Sequence, residues 1–221
     1  MKVIITGSTG MIGKGVLLEC LDDNRITEVL AINRRSLNIK HAKLKELKQN
    51  DFTKFSSVSA DFGAYDGCFH CMGISVLGKS EADYTRLTFD VTKSLADACF
   101  SANPQMVFNY VSGTGTDSSE KGNSMWARVK GRTENYVLGL GFKDSYMFRP
   151  GMIIPERGIK SSTKWYNIMY VITKPLFPWF RKMKNVTSTT RIGLAMINSI
   201  NASQELKLLE GRDINAIAAS K

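Results

Sequence analysis

No run of residues in this chain reaches the roughly 18 uninterrupted apolar positions that a membrane-spanning helix needs. The best stretch, 165–180, is broken by Lys174, Pro175 and Pro178. An export signal is missing too. The apolar run Val3-Ile4-Ile5 stops at Thr6-Gly7, so the expected location is the cytoplasm. Internal repeats, low-complexity tracts and linkers are absent, which leaves residues 1–221 as a single domain. Cysteine is scarce, and Cys20, Cys68, Cys71 and Cys99 read as reduced thiols in a chain without an export signal. Cys68 and Cys71 form a CxxC around His70. On a strand over 67–72, side chains three apart face opposite ways, so the two sulfurs cannot share one ion and no metal is expected.

What the chain does carry is positive charge. The formal balance is +10, which favours anionic partners: cofactor phosphates, acidic substrates, a lipid surface or nucleic acid. It selects none of them. Lys40, Lys43, Lys45 and Lys48 crowd one short segment, but no aromatic residues interleave there as stacking platforms. They read as a solvated face, and nucleic acid is not the expected partner.

Strand-like and helix-like segments alternate. Strands are predicted over 2–6, 28–33, 44–49, 67–72, 106–112 and 144–149, and helices over 11–21, 84–102 and 125–140. This is the pattern of βαβ units around a doubly wound parallel sheet. After Pro150 the alternation fades until a helix near 190–201. Residues 151–190 read as a small substrate-side lobe or lid. Within them the basic-aromatic stretch 165–184 has three readings: a lid, a docking surface for membrane or a partner protein, or the packing of the lobe.

The strongest local signal is Gly7-Ser8-Thr9-Gly10-Met11-Ile12-Gly13, which follows a strand and opens a helix. Gly7 permits a tight turn, Gly10 lets backbone approach a pyrophosphate, and Gly13 lets the helix pack on the sheet. The free N–H groups and the helix dipole then face phosphate. At the end of the second strand an NAD site usually carries a carboxylate for the ribose 2′-hydroxyl. Here the residues are Asn33-Arg34-Arg35. A guanidinium binds a 2′-phosphate bidentately, so NADP(H) is expected over NAD(H).

These motifs, with Cys71-Met72-Gly73, Val111-Ser112, Val129-Lys130-Gly131 and Arg149-Pro150-Gly151, resemble the atypical short-chain dehydrogenase/reductases of the NAD(P)-binding Rossmann superfamily. The likeness is to the epimerase/dehydratase-like branch with the Tat-interacting oxidoreductase-like proteins, and it is best over residues 2–155. The resemblance implies that Ser112 polarises a substrate carbonyl. It also implies a Tyr-xxx-Lys pair on the next helix, the tyrosine relaying a proton and the lysine holding the nicotinamide ribose. Lys130 fills the lysine position, but the tyrosine position is Trp126. An indole N–H has no accessible ionisation with which to relay a proton. Ser112, Lys130 or water would have to supply it, or Tyr110, which otherwise reads as core. Further cofactor contacts are implied at Asp51 and Phe52 near the adenine, at Met72 and Gly73, and at Pro150 and the Ile153–Ile154 backbone. The expected activity is NADP-dependent oxidoreduction of a small carbonyl or alcohol. The alternative is a protein that senses NADP(H) without hydride transfer.

Overall fold

The computed structural model describes residues 1–55, 59–159, 183 and 185–220. Seven parallel strands form one sheet: β1 (Lys2–Thr6), β2 (Glu28–Asn33), β3 (Leu44–Lys48), β4 (Gly67–His70), β5 (Val107–Val111), β6 (Asp144–Arg149) and β9 (Leu208–Glu210). Their order is β3-β2-β1-β4-β5-β6-β9, with every pairing parallel. Such strands are covered on both faces, so most of them read as continuous apolar runs. β1 shows it: Val3 and Ile5 enter one layer, and Ile4 enters the other.

The first layer lies under α1 (Met11–Asp22), α5 (Thr189–Asn201) and α6 (Gly211–Ala219). Val16, Leu17, Ile192, Met196, Ile214 and Ile217 fill it. α1 and α5 cross closely. A Cβ on Gly15 would stand 2.5 Å from Thr189 Cβ, and one on Gly193 would stand 2.7 Å from Glu19 Cγ. The second layer lies under α3 (Val91–Ala102) and α4 (Met125–Gly139), with Leu95, Cys99, Phe108, Val137 and Phe142 inside.

The predicted parallel doubly wound architecture is the one found. β1 is the switch point: the chain runs outward from it through β2 and β3, then returns to β4 on its other side. Ligands of open α/β sheets gather beyond the strand ends at such a point.

Several boundaries differ from the sequence reading. The fourth strand ends at His70, two residues early. Just beyond it the Cys71 amide still donates to Thr6 O at 3.2 Å, and the chain passes within 2.7 Å of where a Gly7 side chain would stand. The two thiols of the CxxC still face different layers, Cys68 in the second and Cys71 against the first. The helix expected over 84–102 starts at Glu81, where Ser80 Oγ accepts from the Asp83 amide at 3.1 Å. It is α2 (Glu81–Thr85), then a π-turn (Arg86–Asp90), then α3. Missing from the sequence reading are β9, α6 and the short parallel pair of β7 (Ile153–Ile154) with β8 (Thr187–Ser188). Apart from Met183, the stretch 165–184 lies outside the described residues.

Candidate functional site

Beyond β1 the chain turns at Gly7, whose φ is +72°, a value that favours glycine. A Cβ there would also meet the Cys71 carbonyl and the Met72 nitrogen at 2.7–2.8 Å. Both turn shape and strand spacing therefore require glycine. The Gly10 amide donates to Gly7 O at 2.9 Å and forms the N-cap of α1. No side chain caps this helix, and no acid sits in its first turn. Its opening amides are thus left for a ligand, and the dipole favours an anion. A Cβ on Gly13 would come within 2.3 Å of Gly7 O, so the bare glycine lets the helix sit against the turn that ends β1.

A cleft of about 280 Å³ opens beside this turn. It gathers Gly7, Thr9, Gly10, Asn33, Arg34, Phe52, Met72 and Gly73, all predicted from sequence. Ser8 is buried below, its hydroxyl donating to Asn33 Oδ1 at 3.0 Å. Asn33 is 4% exposed, yet its Nδ2 has no partner among the described residues. A buried donor left unpaired is costly, by about 1–3 kcal/mol, unless a ligand supplies the acceptor. Amide end, glycine cradle and orphaned donor together fit a nucleotide phosphate and ribose. Met11 and Ile12 open the helix half-buried, and Arg35 is exposed and outside the cleft lining. The Asp51 carboxylate faces Thr53, accepting from its amide at 3.0 Å and its hydroxyl at 2.6 Å. Asp51 builds a turn that presents Phe52.

At the ends of β5 and β6 the arrangement departs from expectation. Ser112 is buried, and its hydroxyl donates to Glu134 Oε1 with Phe148 O at 3.2 Å. Its one proton is spent inside the protein. Glu134 is fully buried on α4 and pairs with Arg149 through Nε at 3.0 Å and through Nη2. Arg149 Nη2 also reaches Ser118 Oγ at 2.6 Å. Sequence reasoning missed Glu134, although it lies four residues after Lys130 on the same helical face. Lys130 Nζ donates to the Ser112 carbonyl oxygen. Burial lowers its pKa to about 8, against the opposing pull of Glu134.

That shift has a consequence for stability. Between about 8 and the ordinary 10.5, the unfolded chain holds a proton that the folded chain has released, so stability rises with pH there. Relative to Lys130→Met, wild-type urea midpoints should climb across this window. Parallel curves for the two proteins would refute it.

Trp126 is half-buried in an apolar group with Tyr84, Phe89 and Val129. A Cβ on Gly115 would stand 3.4 Å from the Trp126 ring. Tyr110 is core: it is 1% exposed, its ring stacks on His70 with centroids 5.6 Å apart, and burial pushes its hydroxyl pKa well up. His70 sits between the Thr6 and Thr92 hydroxyls at 2.6 and 3.0 Å, and burial lowers its pKa to about 3.

The rim of the site continues past Ser112. Gly113 lies between Lys130 and Pro150: a Cβ on it would stand 3.9 Å from Lys130 Nζ and 4.0 Å from Pro150 O. The Thr114 amide donates to Pro150 O at 3.2 Å. The Thr114 side chain is exposed, and its hydroxyl donates to Glu210 Oε2 at 2.6 Å. Pro150 is buried, and Ile153 is half-buried beyond it. Thr114 and Glu210 also escaped the sequence reading. They stand 96 positions apart, and no local signal links them.

Residues 3–124 match the NAD dependent epimerase/dehydratase family. Protein HTATIP2 of Rattus norvegicus is 28% identical over 166 residues, 74% of this chain and 67% of that protein. The mitochondrial protein fmp52 of Emericella nidulans is 28% identical over 166 residues, 71% and 68% respectively. The expectation of a cytoplasmic location is overturned by this second likeness. It followed from the absence of a hydrophobic export signal, which does not bear on mitochondrial location. Among solved structures, Gre2 of Candida albicans in complex with NADPH superposes with TM-score 0.73 and 14% identity, over 95% of this chain and 77% of that one. WbmH of Bordetella bronchiseptica in complex with NAD+ gives TM-score 0.66 and 17% identity, over 91% and 72%. These structures share the fold.

Proposed function

This chain belongs to the NAD dependent epimerase/dehydratase family, and from that premise we propose that it is an NADP(H)-binding oxidoreductase acting on a carbonyl or alcohol. The observation that carries the reading is the convergence of the uncapped α1 amides, the unpaired Asn33 Nδ2 and the Arg34 side chain on one cleft at the β1–β4 switch point. The α1 amides would hold the pyrophosphate, and Asn33 and Arg34 the 2′-phosphorylated ribose. Lys130 would hold the nicotinamide ribose, with Pro150 and Ile153 along the far rim. Residues 151–159 and 185–190 would then border the substrate side of the domain.

The NADP(H) preference rests on position as well as charge. Arg34 is exposed and lines the cleft directly after β2, and the Asn33-Arg34-Arg35 segment itself carries no carboxylate to repel a phosphate. Hydrogen bonds to charged groups are worth about 1.5–3 kcal/mol, which corresponds to roughly 10- to 100-fold in affinity. Arg34→Ala should therefore weaken NADPH by that factor and leave NADH unchanged. The test is thermal shift with each dinucleotide, since a ligand bound by the native state alone raises its stability. Equal shifts with NADH and NADPH would remove the preference, and no shift with either would remove the cofactor.

Trp126 and the committed hydroxyl of Ser112 favour a second reading, a protein that senses NADP(H) without transferring hydride. Steady NADPH oxidation with any carbonyl at ordinary enzymatic rates would exclude it.

A further inference from the structure

Resting on the oxidoreductase reading, we infer that Thr114 and Glu210 form the proton relay that the family tyrosine would otherwise provide, with Ser112 left a structural role. Three observations converge. The Ser112 hydroxyl is buried and donates to Glu134, which is itself fully buried and ion-paired with Arg149, so that pair is closed to solvent and cannot be recharged with a proton. Trp126 offers none. Thr114 is the next hydroxyl along the chain, exposed at the strand ends, one residue past the Gly113 backbone beside Lys130 Nζ. Its proton already points at a carboxylate, Glu210 Oε2 at 2.6 Å. Its remaining lone pairs can accept from a substrate alcohol.

The sheet sets up this pairing. Arg149 and Glu210 are register partners across β6 and β9, so Glu210 reaches the same rim as Pro150. Thr114 is fixed from both sides, its amide on Pro150 O and its hydroxyl 3.1 Å from Arg149 O. A Cβ on Gly151 would stand 3.5 Å from Thr114 Oγ1, so glycine there keeps a side chain off that side of the hydroxyl.

NADPH held at this cleft would supply the hydride that the carbonyl carbon takes up. As the carbon–oxygen π pair moves onto oxygen, that oxygen takes the Thr114 proton. For the reduction Glu210 first takes a proton from solvent hydronium; that carboxyl proton then passes to Thr114 Oγ1, leaving the carboxylate that accepts from Thr114 and from the Asp213 amide. The carbonyl is reduced to the alcohol, and each proton moved is replaced. In the reverse direction the alcohol proton passes to Thr114 as the Thr114 proton passes to the Glu210 carboxylate. Lys130 contributes positive charge beside the developing oxyanion.

The experiment uses the full chain with NADPH and 4-nitrobenzaldehyde as the reducible probe. A second probe is isobutyramide, whose oxygen resembles a carbonyl but cannot accept hydride; its binding is read from NADPH fluorescence. General acid catalysis contributes about 10²–10⁴-fold. Thr114→Val and Glu210→Gln should each lower kcat by at least about 10²-fold with NADPH affinity unchanged, and Thr114→Ser should restore the rate. Thr114→Val should also weaken isobutyramide, whereas Glu210→Gln should leave its binding intact, separating binding from proton transfer. Ser112→Ala should retain turnover. Full activity in Thr114→Val, or loss confined to Ser112→Ala, would overturn the relay alone. A wild-type protein that binds NADPH but reduces nothing would overturn the oxidoreductase reading, and the relay with it.

Discussion

Replacing Gly131 by alanine should destabilise the protein by at least about 3 kcal/mol, or prevent folding altogether. The reason is backbone against backbone. A Cβ on Gly131 would lie 1.7 Å from the Asp117 carbonyl oxygen and 2.5 Å from its carbon. No rotamer relieves such an overlap, so α4 and the loop after β5 would have to separate. That loop is anchored where it stands: the Asp117 amide donates to Ala127 O at 3.1 Å, and its carboxylate accepts from the Gly122 amide at 2.7 Å. Gly139 provides the control. It lies on the same helix, and a Cβ there meets nothing within 4 Å, so Gly139→Ala should be neutral or stabilising by about 0.5–1 kcal/mol. Chemical denaturation of the two variants decides the matter. Equal midpoints would mean that the loop yields freely.

Glu134→Ala should cost about 3–5 kcal/mol, because it leaves a guanidinium largely buried without its counter-ion. Arg149 has a side-chain exposure of 11%, and Glu134 of 0%. The same change frees the Ser112 hydroxyl and removes the carboxylate near Lys130. Glu134→Gln keeps an acceptor for Ser112 and Arg149 but loses the charge, so its loss should be smaller. Urea unfolding of both variants checks this. An alanine variant within about 1 kcal/mol of wild type would show that the pair is no better than an apolar substitute, an outcome known for some buried ion pairs.

Much of this fold is legible because parallel strands buried on both faces print themselves as apolar runs. β1, β2 and β6 begin and end where the sequence places them. β9 is too short for such a signature, three residues ending in a charged one, and only its pairing with β6 makes it a strand. The π-turn inside the long helix is equally silent, since its residues fit an ordinary helical pattern. At the site, glycine spacing exposes the dinucleotide turn because backbone geometry alone dictates it. Hydroxyl orientation is not local. Whether Ser112 or Thr114 faces the opening depends on Glu134 and Glu210, which arrive from distant segments.

The crossing of α1 with α5 bears on how the chain must be born. The helix that opens at the glycine turn leans on a helix that starts at Thr189, and Ile200 packs where a Gly67 side chain would be. A growing polypeptide that has emerged only through β6 would hold its first layer uncovered, with Val16, Leu17 and Ile5 facing water. Shortened versions ending after the matched region should therefore expose apolar surface and aggregate rather than stand as folded units.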